Sequence, residues 1–571
     1  MTPAPATTSF DIREIPFSYR GAWFNLSPVT ALHTRSEAVH LVSHRNGMHA
    51  VLALEPVAQG SVVACAWDAQ PAVFRWSTPD GASVSAAFDG PNVLRLRGRG
   101  MGLRIRDAAA GLTPFTGTYL FDDPIDGAIV FTSYETGRRY RITRITGALE
   151  VAGAEALGAA ERHLVAGASG TEWEIALEET TAGSAPFMPR GRFEEVVAAA
   201  GARFAEYVEL VAPWRDARTP AAARAAYVLW SATVAPEGYL TRESVLMSKH
   251  WMDKVWSWDH CFNALALAPG LPDAALDQFL APFDHQDATG ALPDSVTHSE
   301  VLYNYVKPPI HGWALQHLRA TAGRALTPSE LALVHDRLAA WSGYWLERRR
   351  RPGRVLPYYQ HGNDSGWDNA TTFDLDRVVE SPDLAAFLVL QLETLADLAG
   401  ELGRPTDRWK NERDAVLQAL VDELWRDDRF VAVGALSRRD STATSLLNLL
   451  PLVLGDRLPP QLRDAMVARL AEHLTEHGLA TEPPTSQAYE PDGYWRGPIW
   501  APSTALLVDG LRRSGHDELS DLVSDRFRAL CERSGFAENF DAVSGQGLRD
   551  RAYTWTAAVY LVLAAAFVRR G

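Results

Sequence analysis

At 571 residues the chain exceeds what one hydrophobic core usually supports, which points to at least two domains. With 47% hydrophobic and 22% charged residues it has the make-up of a globular protein, excluding disordered and fibrous classes. A net charge of -15 argues against a nucleic-acid partner, because phosphate-backbone binding needs clustered Lys and Arg to displace counterions.

The first residues, MTPAPATTSFDIREIPF, lack a basic patch followed by an apolar run, so no Sec-type leader is expected. Three widely spaced cysteines, Cys65, Cys261 and Cys531, fit neither a disulfide framework nor a zinc cluster. Both features predict a cytoplasmic protein. From about Ser9 to Thr181 short period-two runs alternate with turn signals, the pattern of an all-β domain. Asn46-Gly47 and Asp80-Gly81 are hairpin dipeptides. In LRLRGRGMGLRIR, Leu94, Leu96, Leu103 and Ile105 flank a glycine-rich interruption expected to be a bulge or hairpin. A two-layer β-sandwich over residues 1–190 buries so many strands most simply.

Phe193, Val196, Val197, Ala200, Phe204 and Val208 recur at helical spacing, marking a connecting helix within 191–214. Strand signals then almost vanish, and residues 215–571 read as all-α. Thr219-Pro220, Thr327-Pro328 and Ser381-Pro382 each place a capping hydroxyl before a proline at a helix start. Leu384, Phe387, Leu388, Leu392, Leu395 and Leu402 form the core stripe of a long helix. The length accommodates about twelve helices of roughly thirty residues with their loops, enough for a closed double ring. The apolar stretch from Thr556 to Val568 is too short to span a bilayer and predicts a buried terminal helix, so no membrane partner is expected.

Four segments carry chemistry. In YYQHGNDSGWDNATTF, Tyr358 to Phe373, Asp368 follows Trp367, whose ring could wall a sugar and desolvate the carboxyl, raising its pKa toward that of an acid catalyst. Asp364 is a rival in the same segment, and an Asx turn is the structural alternative. In SGFAENFDAVSGQG, Glu538 stands among apolar and small residues. In KVWSWDHCFNALA, Trp258 and Asp259 precede an apolar helical run. In YWRGPIWAPS, Arg496 sits between Trp495 and Trp500, beside Gly497, in a turn. Aromatic faces beside carboxylates suit sugar rings, and two carboxyls facing one pocket are what glycoside cleavage requires. Trp313 and Gln316 stand at helical spacing and complete, with Asn369, the candidate substrate-binding set.

Taken together and in this order, WSWD, GNDSGWDN, YWRGPIW and AENFD resemble glycoside hydrolase family 63, with a more distant likeness to family 37 trehalases. The resemblance spans roughly Arg215 to Gly571. It implies an (α/α)6 barrel, inversion, Asp368 as general acid and Glu538 as general base. Trp258, Asp259, Trp367, Arg496 and Trp500 would then line the subsite of the non-reducing sugar. Usual substrates are α-glucosides, and some relatives hydrolyse mannosylglycerate or glucosylglycerate. The β-rich N-terminal half, which minimal glycerate-glycoside hydrolases lack, tilts the reading toward an exo-acting α-glucosidase on a small carbohydrate. No Asp-rich loop suggests a metal, and no cofactor is expected. Competing readings are an inverting phosphorylase, which a retained Glu538 opposes, and an epimerase using His260, His311 and His361. A non-catalytic carbohydrate-binding protein would keep the tryptophans without needing the carboxylates.

Overall fold

The computed structural model describes residues 8–109, 118–155, 161–168, 172–185 and 187–570. The first seven residues, where a leader would begin, lie outside them. The chain forms two compact units: Met1–Glu209 with Ala226–Asp253 and Thr297–Glu300, and Leu210–Ala225 with Lys254–Val296 and Val301–Gly571.

The first unit holds two antiparallel sheets of seven and eight strands. Phe24–Ala31, Thr34–Ser43 and His49–Ala58 pair in sequence, and Gly102–Asp107 and His163–Ala166 continue that sheet. The other sheet runs through Arg139–Thr146, Trp173–Thr180, Val93–Arg99 and Ser83–Phe88. Asn46 and Gly47 both have positive φ, 60° and 91°, as a hairpin of the primed type requires. The glycine-rich interruption in LRLRGRGMGLRIR is neither bulge nor hairpin. Val93–Arg99 and Gly102–Asp107 pair in different sheets, so Gly100, at φ 75°, and Met101 carry the chain across from one to the other. Leu94, Leu96, Leu103 and Ile105 are all buried, which is why alternation alone could not separate the two cases. Trp173 explains three of the glycines: a Cβ at Gly98, Gly147 or Gly167 would lie 2.2, 2.5 or 1.8 Å from it. Its Nε1 donates to the Met101 carbonyl at 2.8 Å.

Among the described residues there are thirteen α-helices: α1 Phe193–Val211, α2 Ala222–Ala232, α3 Asp259–Leu267, α4 Pro272–Leu280, α5 His311–Thr321, α6 Pro328–Glu347, α7 Gly362–Ser365, α8 Pro382–Glu401, α9 Asp407–Leu424, α10 Pro460–His473, α11 Ala501–Arg513, α12 Asp517–Ser534 and α13 Thr554–Arg570. A 3₁₀ run spans Leu446–Arg457, with Pro451 inside it. In the second unit α3 packs on α5, α5 on α8, α8 on the 3₁₀ run, that run on α11, α11 on α13, and α13 back on α3. The order of neighbours therefore closes on itself. Helices α4, α6, α9, α10 and α12 pack against members of this ring. Helix α8 is buried on almost every face, not along one stripe, as an inner helix wrapped by others must be.

The three capped starts differ. Thr327 caps α6 in a full capping box with Glu330. Helix α8 begins at Pro382, but the Ser381 hydroxyl donates to Asp383 instead of capping. Thr219 belongs to a turn with Asp216, and α2 starts only at Ala222.

Candidate active site

The four motifs meet at loops of the second unit. Strands Val255–Trp256, Ser295–Val296 and Val301–Leu302 form a small antiparallel sheet that ends at the head of α3, where Trp258 and Asp259 stand. In the next motif His361 caps α7 by accepting the Asn363 N–H at 3.1 Å, and Gly366, at φ 75°, ends it. A Cβ at Gly366 would lie 2.6 Å from the Trp258 indole, so glycine is what lets these two motifs touch. Asp364 accepts from Val306 N–H at 3.2 Å, Gln360 N–H at 2.8 Å and Arg349 Nη1 at 2.7 Å. With three donors on its two oxygens, Asp364 is a structural node of this loop.

Asn369 ties this loop to the third motif. Its amide donates to the Gly493 carbonyl and accepts the Trp495 N–H, both at 3.0 Å. Arg496 donates to the Asn369 carbonyl at 2.8 Å and pairs with Asp374. A Cβ at Gly497 would meet the Glu490 carbonyl at 2.4 Å, so only glycine passes there. Ile499 then exchanges both backbone hydrogen bonds with Phe540, at 2.7 and 3.0 Å, joining the third motif to the segment of Glu538.

The tryptophans form one buried block. Trp495 stacks on Trp367 at 4.5 Å and on Trp500 at 4.0 Å, while Trp555 meets Trp258 and Trp500 edge-on at 5.7 and 5.5 Å. All five are at most 3% exposed, so ring faces pair largely with other rings. Around this dry block three carboxyls titrate high. Burial pushes Asp259 up to about 8, with Lys307 opposing and Asp368 and Asp294 adding. Burial likewise raises Asp368, against Lys307 and His361 and with Asp294. Glu538 is pushed up to about 8 by burial and by Asp550, against Arg549 and a hydrogen bond from Tyr494.

Tyr494 joins the set electrically. Burial, Glu538, Asp368 and Asp259 all hold its phenol above the usual range. The guanidinium of Arg549 lies over its ring at 4.9 Å. Tyr553 is raised by burial and by Glu538, Tyr494 and Asp259 in the same way. Oδ2 of Asp259 is buried with no protein hydrogen-bond partner among the described residues, which leaves it able to accept from or donate to a polar group.

Of the residues singled out in the sequence, Trp258, Asp259, Trp367, Asp368, Asn369, Arg496, Gly497, Trp500 and Glu538 lie in these linked loops. Trp313 and Gln316 spend their polar atoms elsewhere. Trp313 donates to Asp509 at 2.8 Å and Gln316 to Thr394 at 3.0 Å, both between helices of the ring. His311 is fully buried, bound to the Ser257 carbonyl at 3.1 Å, and lowered to about 3 by burial, which disqualifies it as a proton-transfer base. Sequence reasoning missed Tyr494, Trp495, Tyr553, Trp555, Asp294 and Lys307. The first two lie inside a motif already recognised and were passed over for Arg496. Asp294 and Lys307 carry no local signal, since only the small sheet brings them to α3.

High-pKa carboxyls held in a dry aromatic surround on helix-joining loops are the equipment of a glycoside hydrolase. The model of the mannosylglycerate hydrolase MGH1-like glycoside hydrolase domain matches residues 252–556, and the chain belongs to that family, within glycoside hydrolase family 63. A mannosylglycerate hydrolase of Rubrobacter radiotolerans is 26% identical over 403 residues, covering 54% of this chain and 89% of that protein. A glucosylglycerate hydrolase of Mycolicibacterium hassiacum is 23% identical, covering 60% and 97%. The family 63 mannosylglycerate hydrolase of Thermus thermophilus, solved with glucose, superposes with a TM-score of 0.54 at 20% identity, covering 60% of this chain and all of that one. The matched region is the helical part. Among the described residues no helix is long and apolar enough to cross a membrane.

Proposed function

We propose that the chain is an inverting hydrolase of a glycerate glycoside, mannosylglycerate or glucosylglycerate, working on an (α/α)6 barrel that follows a β-sandwich. The observation that carries this is the run of hydrogen bonds that ties the loop of Asp368 to that of Glu538, from Asn369 to Gly493 and Trp495 and from Ile499 to Phe540, with both carboxyls buried around the tryptophan block. Asp368, whose hold on its proton burial strengthens, delivers that proton to the leaving oxygen. Glu538 in its ionised form, which the hydrogen bond from Tyr494 favours, takes a proton from the water that attacks the opposite face of the sugar. Asp259 binds a sugar hydroxyl. The tryptophan block keeps the surround dry, so each charge acts at full strength.

The substrate reading follows the relatives' names. The α-glucosidase expectation rested on the β-rich half, which lies outside the matched residues 252–556. Incubating the purified protein with mannosylglycerate, glucosylglycerate and α-linked glucose disaccharides tests the choice. Turnover of the disaccharides alone would restore the α-glucosidase reading. Proton NMR of the first sugar released must show the β anomer from an α-glycoside; the α anomer would rule out inversion.

A further inference from the structure

We infer that Lys307 is a positioning residue of this site: it anchors the loop of Asp368 and supplies the positive charge that Asp259, Asp294 and Asp368 share. The inference rests on Asp368 being the acid. Lys307 is buried and follows the strand Val301–Leu302. Its Nζ donates to the Asn363 carbonyl at 2.9 Å and pairs with Asp294 Oδ1 at 2.9 Å. The preceding residue, Val306, donates its N–H to Asp364 at 3.2 Å. Two successive residues are thus stitched to the segment that ends in Asp368.

The small sheet explains why these groups converge. Trp256 is paired with Ser295 and Ser295 with Leu302, so Asp259 after the first strand, Asp294 before the second and Lys307 after the third come from neighbouring strands. Three buried carboxyls in one place must stay protonated or share a cation, and Lys307 is the cation placed among them. Arg349, the buried cation nearby, is spent on Asp364 at 2.7 Å and on Tyr344 at 2.6 Å. The groups facing Asp368 are then Lys307, Asp294, His361 and Asp259, with Tyr494 leading on to Glu538 and Arg549. Burial opposes the charge on Lys307, but Asp368, Asp294 and Asp259 together outweigh it and raise its pKa.

The test uses Lys307→Met, Lys307→Arg and Asp294→Asn in the full chain. One readout needs no substrate. The melting-temperature gap between wild type and Lys307→Met should widen by about 3 °C or more from pH 5.5 to 9, as unshared carboxyls are forced to ionise. A gap independent of pH would mark Lys307 as packing only and overturn the inference. The second readout is the basic limb of kcat on whichever glycerate glycoside is turned over, since that limb reports Asp368 losing its proton. Lys307→Met should move it up by about one pH unit or more, Asp294→Asn should move it down, and Lys307→Arg should restore it. Unmoved limbs, or a loss confined to KM, would also overturn it. If Lys307→Met does not fold, the sign of the Asp294→Asn shift decides. If wild type hydrolyses neither glycoside, the functional reading falls while the melting gap still judges Lys307.

Discussion

Replacing Glu538 by Gln should abolish turnover yet make the protein more stable, and only at high pH. The carboxyl titrates at about 8 when folded against 4.5 in an open chain, so the folded state holds its proton more tightly. Its contribution is therefore harmless below about pH 4.5, grows unfavourable as pH rises, and is complete above about pH 8. The shift corresponds to about 5 kcal/mol as an upper figure. Relaxation and water entry reduce that, leaving at least about 2 kcal/mol. Gln keeps the shape and still accepts the Tyr494 hydrogen bond, so it removes little but the charge. Melting curves at pH 5 and pH 9 read the effect: near-identical midpoints at pH 5, and a variant about 2 to 4 °C higher at pH 9. A variant equally or less stable than wild type at pH 9 would refute the buried, high-pKa assignment.

Other outcomes follow from the same geometry. Asp368→Asn should lower kcat by at least about a hundredfold with the fold intact, measured on the preferred glycoside. Tyr494→Phe removes a hydrogen bond that lowers the Glu538 pKa, so the acidic limb of kcat/KM should move to higher pH; an unmoved limb would detach Tyr494 from the base. Asp364→Asn should cost about 3 kcal/mol in denaturant unfolding, because it leaves the Arg349 guanidinium buried without its charge partner. Gly497→Ala should cost both stability and kcat/KM, since its Cβ would meet the Glu490 carbonyl and push the loop of Arg496 off Asn369.

What could be read from the sequence was what repeats locally. Period-two and period-3.6 patterning separated the sheets from the helices, and Thr327 before Pro328 announced its own cap. Asp368 and Glu538 stood out because their neighbours were unusual. Patterning failed wherever partners are distant. Nothing near Lys307 hints at Asp294, nothing in LRLRGRGMGLRIR says that its halves join different sheets, and the tryptophans gave no sign that they would stack on one another. Trp313 and Gln316 had helical spacing, but spacing does not tell which face of a helix meets a ligand and which meets another helix.

Tyr494 and Arg549 have left-handed backbones, at φ 63° and 59°, and the cation of one lies over the ring of the other. Each conformation costs of order 1 kcal/mol or more for a residue with a side chain, and the two flank the same carboxyl. Anyone engineering this protein for heat tolerance would be drawn to these positions, where glycine or asparagine relieves the backbone at once. The gain in melting temperature would come at the expense of the phenol and guanidinium that, against burial and Asp550, weaken the hold of Glu538 on its proton. Hardening campaigns should leave both residues alone and look to the sheets instead.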